Sequence, residues 1–120
     1  MANIAVPGYT DTIGKHGVWI GDHTGPASYL AYTAPATGGD VISAINFGLR
    51  SIDAVAPMGY SVSGNYAVKA KLLTGKGGVV STALLVWYAV TWSSSVEVLT
   101  LVSATTNLSA ETVRLLIVGG

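Results

Sequence analysis

The run TALLVWYAVTW, residues 82–92, decides the fold. It is apolar at odd and even positions alike and rich in aromatic and β-branched residues. That is the pattern of a strand covered on both sides rather than of an amphipathic helix. Upstream, YAVKAKLL (66–73) sets Tyr66, Val68, Ala70 and Leu72 against Ala67, Lys69 and Lys71, the two-residue repeat of a half-exposed strand. Downstream, VEVLTLVS (96–103) alternates imperfectly, and TVRLLIVG (112–119) sets Val113, Leu115 and Ile117 against Arg114, Leu116 and Val118. Pro57-Met58-Gly59, the TGKGG of 74–78 and the serine triplet 93–95 are turn signals short enough to join antiparallel neighbours. HGVWIGD and SIDAV add two short strands around the Pro/Gly/Thr-rich segment 25–40, which reads as a long loop. The expected fold is all-β: a small antiparallel β-sandwich or barrel of about six to seven short strands, with an extended N-terminal arm. Residues 1–15 are that arm and 16–120 a single β-domain.

Composition restricts what such a domain does. Among 120 residues only 10% are charged and 50% are hydrophobic, and six basic and six acidic side chains cancel. A neutral, apolar surface invites association, so the shortage of charge implies surface that something covers. Neutrality also argues against nucleic acid, because binding a phosphate backbone needs clustered Lys and Arg, and Lys69, Lys71 and Lys76 do not make a basic face. There is no cysteine, hence neither a disulfide framework nor a thiolate metal site. The opening MANIAVPGYTDTIG lacks the basic and apolar regions of a secretory signal, and synthesis in the cytoplasm is expected. The apolar run 83–90 is far shorter than the ~20 residues of a membrane-spanning helix, so no membrane partner is expected.

Chemistry-bearing constellations are scarce. His16 and His23 flank a short strand with Asp11 and Asp22 nearby, but no third clear ligand joins them, and both read as exposed histidines rather than a metal site. Serines sit in turns, the nucleophile elbow G-x-S-x-G is absent, and Asp53 and Glu97 read as solvent-facing rather than as paired glycosidase carboxylates. TGKGGVV lacks the full phosphate-loop pattern. No catalytic residue and no cofactor is expected. The loop TGPASYLAYTAPATGG (24–39) carries Tyr29, Leu30 and Tyr32; long loops in small domains are commonly functional, and tyrosines suit recognition, although a loop aromatic also caps a core.

The ending NLSAETVRLLIVGG (107–120) resembles that of small virion structural proteins of tailed bacteriophages, in which a D/N-L-S-x-x-T-V-R turn leads into a final strand and a glycine. VWIGDHTGPASY (18–29), TGGD (37–40) and FGLRSIDAV (47–55) agree in order, so the resemblance covers most of the chain from about residue 14. The tract between GPASY and TGGD is longer than that family's pattern. The resemblance implies a head decoration, or cement, protein on the capsid exterior, docked on the major capsid protein and commonly trimeric, with the arm as a strap. The residues expected at self-association or capsid contacts are Val6, Pro7, Tyr9, Trp19, Tyr29, Leu30, Tyr32, Leu116 and Val118. Two other roles compete. One is a tail or connector component of the same virion. The other is a glycan-binding module that stacks sugars on Trp19, Tyr29, Tyr32, Trp87, Tyr88 and Trp92.

Overall fold

A computed structural model describes residues 8–13, 16–34, 37–73 and 80–120. The elements are β1 (Gly8–Ile13), β2 (His16–Thr24), β3 (Leu30–Thr33), β4 (Thr37–Ser43), a short 3-10 turn (Ala44–Phe47), β5 (Ile52–Pro57), β6 (Tyr66–Leu73), β7 (Thr82–Ser93), β8 (Val96–Leu101) and β9 (Thr112–Gly119). They form two antiparallel sheets. One has the order β1-β2-β9-β5; the other has β3-β4-β7-β6, with β8 added to β7. Of the antiparallel sandwich or barrel expected from the strand patterns, the all-β sandwich is the observed fold.

Among the described residues nine strands replace the expected six to seven, and the additions fall where the sequence read as arm and loop. Residues 8–13 pair along the whole of their length with β2, from Gly8 opposite Gly21 to Ile13 opposite His16, as an edge strand of their own domain. The loop reading of 25–40 is corrected, because β3 and β4 form a hairpin within it. Glycine hid that hairpin from a propensity argument. Gly38 and Gly39 both sit at φ 77°, beside the irregularity in the β3–β4 pairing. A Cβ at Gly39 would meet Leu84 Cδ1 at 2.5 Å and Cγ at 2.9 Å, so a side chain here would displace Leu84 besides straining a backbone at positive φ.

The core lies between the sheets. Ala83, Leu85 and Trp87 of β7 meet Val113, Leu115 and Ile117 of β9, together with Trp19, Tyr29, Phe47, Ile52 and Leu108. Alternation therefore turns Leu84, Val86 and Tyr88 to the far side of the second sheet, and Leu116 and Val118 to the far side of the first. Leu84 and Val86 are nevertheless buried, so β7 is covered on both faces as its apolar run requires. That cover stops before the end of the strand. β4 accompanies β7 only over Thr82 to Leu85, and β6 only over Thr82 to Ala89, whereas β8 pairs with Tyr88 to Ser93. Trp92, beyond the reach of β4 and β6, is 63% exposed.

The β7–β8 turn is made by Ser94 and Ser95 at φ 52° and 67°, the two positive values that a tight two-residue hairpin turn demands and that Asn-Gly satisfies better than serine. The double substitution Ser94→Asn, Ser95→Gly is expected to stabilise the protein by ~0.5–1 kcal/mol, as a rise in the denaturant midpoint. An unchanged midpoint would mean that the ribbon does not limit stability.

The 107–120 segment is knitted in at both ends. Asn107 Oδ1 accepts from the Ser109 backbone N–H at 2.9 Å and the Ser109 hydroxyl at 2.6 Å, closing the turn that buries Leu108. β9 lies between β2 and β5, and beyond it the Gly120 carbonyl accepts from the N–H of Arg50 at 2.7 Å and of Ser51 at 3.3 Å. The apolar strand is thus an interior strand whose last residue is held by main-chain bonds.

Candidate interaction surface

The described residues hold one polar cluster between the sheets. His23 projects from β2 and Asp40 from β4, and His23 Nε2 lies 2.6 Å from Asp40 Oδ2. The same carboxylate oxygen accepts from Trp87 Nε1 at 3.1 Å, while the Tyr29 hydroxyl accepts the Trp87 backbone N–H at 3.1 Å. Burial, reinforced by the charge of Asp40, pushes the ionisation of Tyr29 above its ordinary value. The reading of His23 as an exposed histidine is corrected: its side chain is 14% exposed and the Asp40 side chain 11%. The cause is tertiary, since the carboxylate comes from a strand that the sequence did not reveal. The side chain of His16 lies outside the described residues.

This cluster ties the two sheets together; it does not assemble a reaction. Asp40 bridges the imidazole to an indole rather than to a hydroxyl nucleophile. No group of three or more His, Cys, Asp or Glu side chains able to hold a metal occurs among the described residues. A cleft of about 470 Å³ opens over Ser43, Ala44, Ile45, Leu49, Arg50, Ser81 and Thr82, and among these described residues Arg50 carries the charge. No helix among the described residues is long and apolar enough to cross a membrane.

What stands out is apolar surface where a two-layer sandwich normally presents polar side chains. On the far side of the first sheet, Leu116 sits between Ile20 and Ala56, and Val118 between Val18 and Ala54. On the far side of the second, Val41 opposes Leu84, and Tyr88 lies between Ala67 and Leu101. Lys69 bends its ammonium over the Tyr88 ring, 5.4 Å from the centroid, and covers part of that face with its stem. The exposed apolar side chains gather further on the β7–β8 ribbon, at Trp92, Val96, Val98 and Leu101, and on the loop before β6, at Met58, Tyr60 and Val62. The Tyr60 hydroxyl donates to the Glu97 carboxylate and links that loop to the ribbon.

The residues expected at contacts divide. Leu116 and Val118 are half-buried and lie together on the outer face of the first sheet; Leu30 is 66% exposed on β3, and Tyr32 beside it is half-buried. Trp19 and Tyr29 are corrected: both belong to the core, Trp19 edge-to-face on Phe47 at 4.7 Å, and neither reaches the surface. Each fills space between the sheets that no smaller side chain would fill. Val6, Pro7 and the side chain of Tyr9 lie outside the described residues. Both strands of the ribbon and its serine turn were legible, and Trp92 was named for sugar stacking, but Val96, Val98 and Leu101 were not placed at a contact. The signal was present in the lengths, because an apolar run reaching Trp92 outlasts its YAVKAKLL neighbour.

Comparison with known proteins finds no matching family model, no matching curated protein and no matching solved structure.

Proposed function

We propose that this chain is a structural subunit of a phage virion, a head decoration protein that works by covering and being covered. The observation that carries the reading is the apolar outer face of each sheet, Leu116 and Val118 on one and Val41, Tyr88 and Leu101 on the other. A sandwich this neutral gains most by hiding those faces, against sister chains and against the shell beneath. The placement of the shell as that of a phage head rests on the resemblance of 107–120 and its companion segments; a trimer is the order that resemblance implies. A decorating layer strengthens a DNA-filled head because each bound subunit adds interface that must be broken before shell subunits part. The polar cluster at His23 and Asp40 supports a structural role, being spent on joining sheets. A glycan-binding role is weakened, since Trp19, Tyr29 and Trp87 are lost to the core as stacking platforms.

Co-sedimentation with purified undecorated heads that lack tails tests this proposal and separates head from tail. Saturable binding is the expected result; no binding at micromolar protein overturns it. The strap expectation needs a cleaner variant than removal of 1–15, because that deletion takes away β1. Removing residues 1–7 is expected to leave the melting temperature unchanged and to weaken head binding about tenfold, a difference of ~1.4 kcal/mol. Equal binding by the shortened chain counts against the strap.

A further inference from the structure

β8 is a sheet edge with the composition of an interior strand. Its sequence, VEVLTL, holds no lysine and no proline and a single charge, Glu97, as its guard of a free edge, and among the described strands it pairs with β7 alone. A two-stranded ribbon of this kind is marginally stable in water by itself. We propose that β8 pairs with β8 of a second copy of this chain, antiparallel across a two-fold axis normal to the sheet, with Leu99 opposite Leu99.

The register follows from which main-chain groups are free. The two-residue turn at Ser94 and Ser95 makes Ser93 and Val96 a bonded pair, and in an antiparallel ladder bonded and non-bonded pairs alternate. Val96, Val98 and Thr100 therefore spend their N–H and C=O groups on β7, and the Val102 N–H continues the series by donating to the Trp87 carbonyl at 3.2 Å. Glu97, Leu99 and Leu101 point theirs outward. A two-fold axis normal to the sheet keeps each side chain on its own face, so only residues of like alternation can oppose one another. Centring on Leu99 places Glu97 opposite Leu101 at both ends and satisfies all three outward residues. Centring one residue earlier, on Val98, leaves Leu101 opposite the Ser95 turn and brings the two Glu97 carboxylates to diagonal positions, about 7–8 Å apart. The Leu99 register holds them at opposite ends of the pairing. A second copy fits better than a foreign strand because the edge is its own complement, and a chain of zero net charge does not repel its copies. The pairing also joins the apolar outer faces around Tyr88 and Leu101 into one continuous surface. The contact is isologous and closes at two chains.

The absence of cysteine from the chain allows a direct test with single-cysteine variants. Leu99→Cys is expected to form a disulfide-linked dimer under mild oxidation, since opposed Cα atoms lie about 5.5 Å apart in such a pair, within disulfide range. Thr100→Cys, opposite Val98 of the second copy, is expected to stay unlinked. Leu99→Pro removes an outward N–H without touching the β7 ladder; it is expected to keep the folded circular-dichroism spectrum and to weaken self-association at least tenfold in sedimentation velocity. The inference is overturned if Leu99→Cys stays unlinked at concentrations where the protein associates, if Thr100→Cys links as readily, or if Leu99→Pro associates as the wild type does. In each case saturable head binding, read separately, can still stand.

Discussion

Gly119→Ala is expected to cost about 3–5 kcal/mol and to lower the melting temperature by roughly 15–25 °C. Residue 119 is a strand position flanked on both sides, opposite Gly17 on β2 and Ile52 on β5. A Cβ there would overlap the Ser51 carbonyl oxygen, lie 2.9 Å from its carbon and press on Leu49 Cδ1 at 3.3 Å. The obstacle is backbone, so no rotamer change relieves it. Moving Ser51 away also breaks the bonds that Arg50 and Ser51 make to Gly120, and with them the anchor of β9 between its neighbours. Gly59→Ala is the control. Gly59 has φ 89° but nothing within 4 Å of a built Cβ, so it isolates conformational strain, expected at about 1–2 kcal/mol. If Gly119→Ala melts no lower than Gly59→Ala, close approach at residue 119 is not what holds the strand.

Asp40→Ala is expected to cost about 3 kcal/mol, seen as a lower urea midpoint with an unchanged slope. The carboxylate serves two donors at once, His23 Nε2 and Trp87 Nε1. Removing it strands an imidazole and an indole N–H in a site that is only 11–14% exposed. Asp40→Asn keeps one acceptor oxygen and is expected to lose about 1 kcal/mol. A loss of less than 1 kcal/mol for the alanine variant would show that the cluster is incidental to the joining of the sheets.

The sequence disclosed the strands whose burial writes itself into periodicity. Residues 83–90 are apolar throughout because the core takes Ala83, Leu85 and Trp87 while Leu84 and Val86, on the other face, are buried as well. The alternation of 66–73 likewise reports one wet face, with Lys69 and Lys71 exposed. Asn107 was legible because an asparagine turn is local chemistry. The β3–β4 hairpin was not, since Gly38 answers to the Ala31 backbone across the hairpin and Gly39 to the close approach of Leu84, a partner 45 positions away that no local pattern can announce. The same is true of His23, whose partner Asp40 arrives through tertiary folding. Trp19 and Tyr29 illustrate the converse: an aromatic beside a turn carries no period, so its sequence surroundings do not say whether it faces a partner or the core. The outer faces fared better. Leu116 and Val118 broke the alternation of the last strand, and they lie half-buried on the outer face of the first sheet beside Ile20 and the buried Val18.

That surface is the centre of the proposed function, and its cover by other chains can be read as a mass. Sedimentation equilibrium of the full chain, from low micromolar to near-millimolar concentration, measures it directly. The expected result is a closed assembly of two or more 12.2 kDa chains that dissociates on dilution. A single 12.2 kDa species at every concentration would contradict it, because both outer faces would then be stable in open water without a partner.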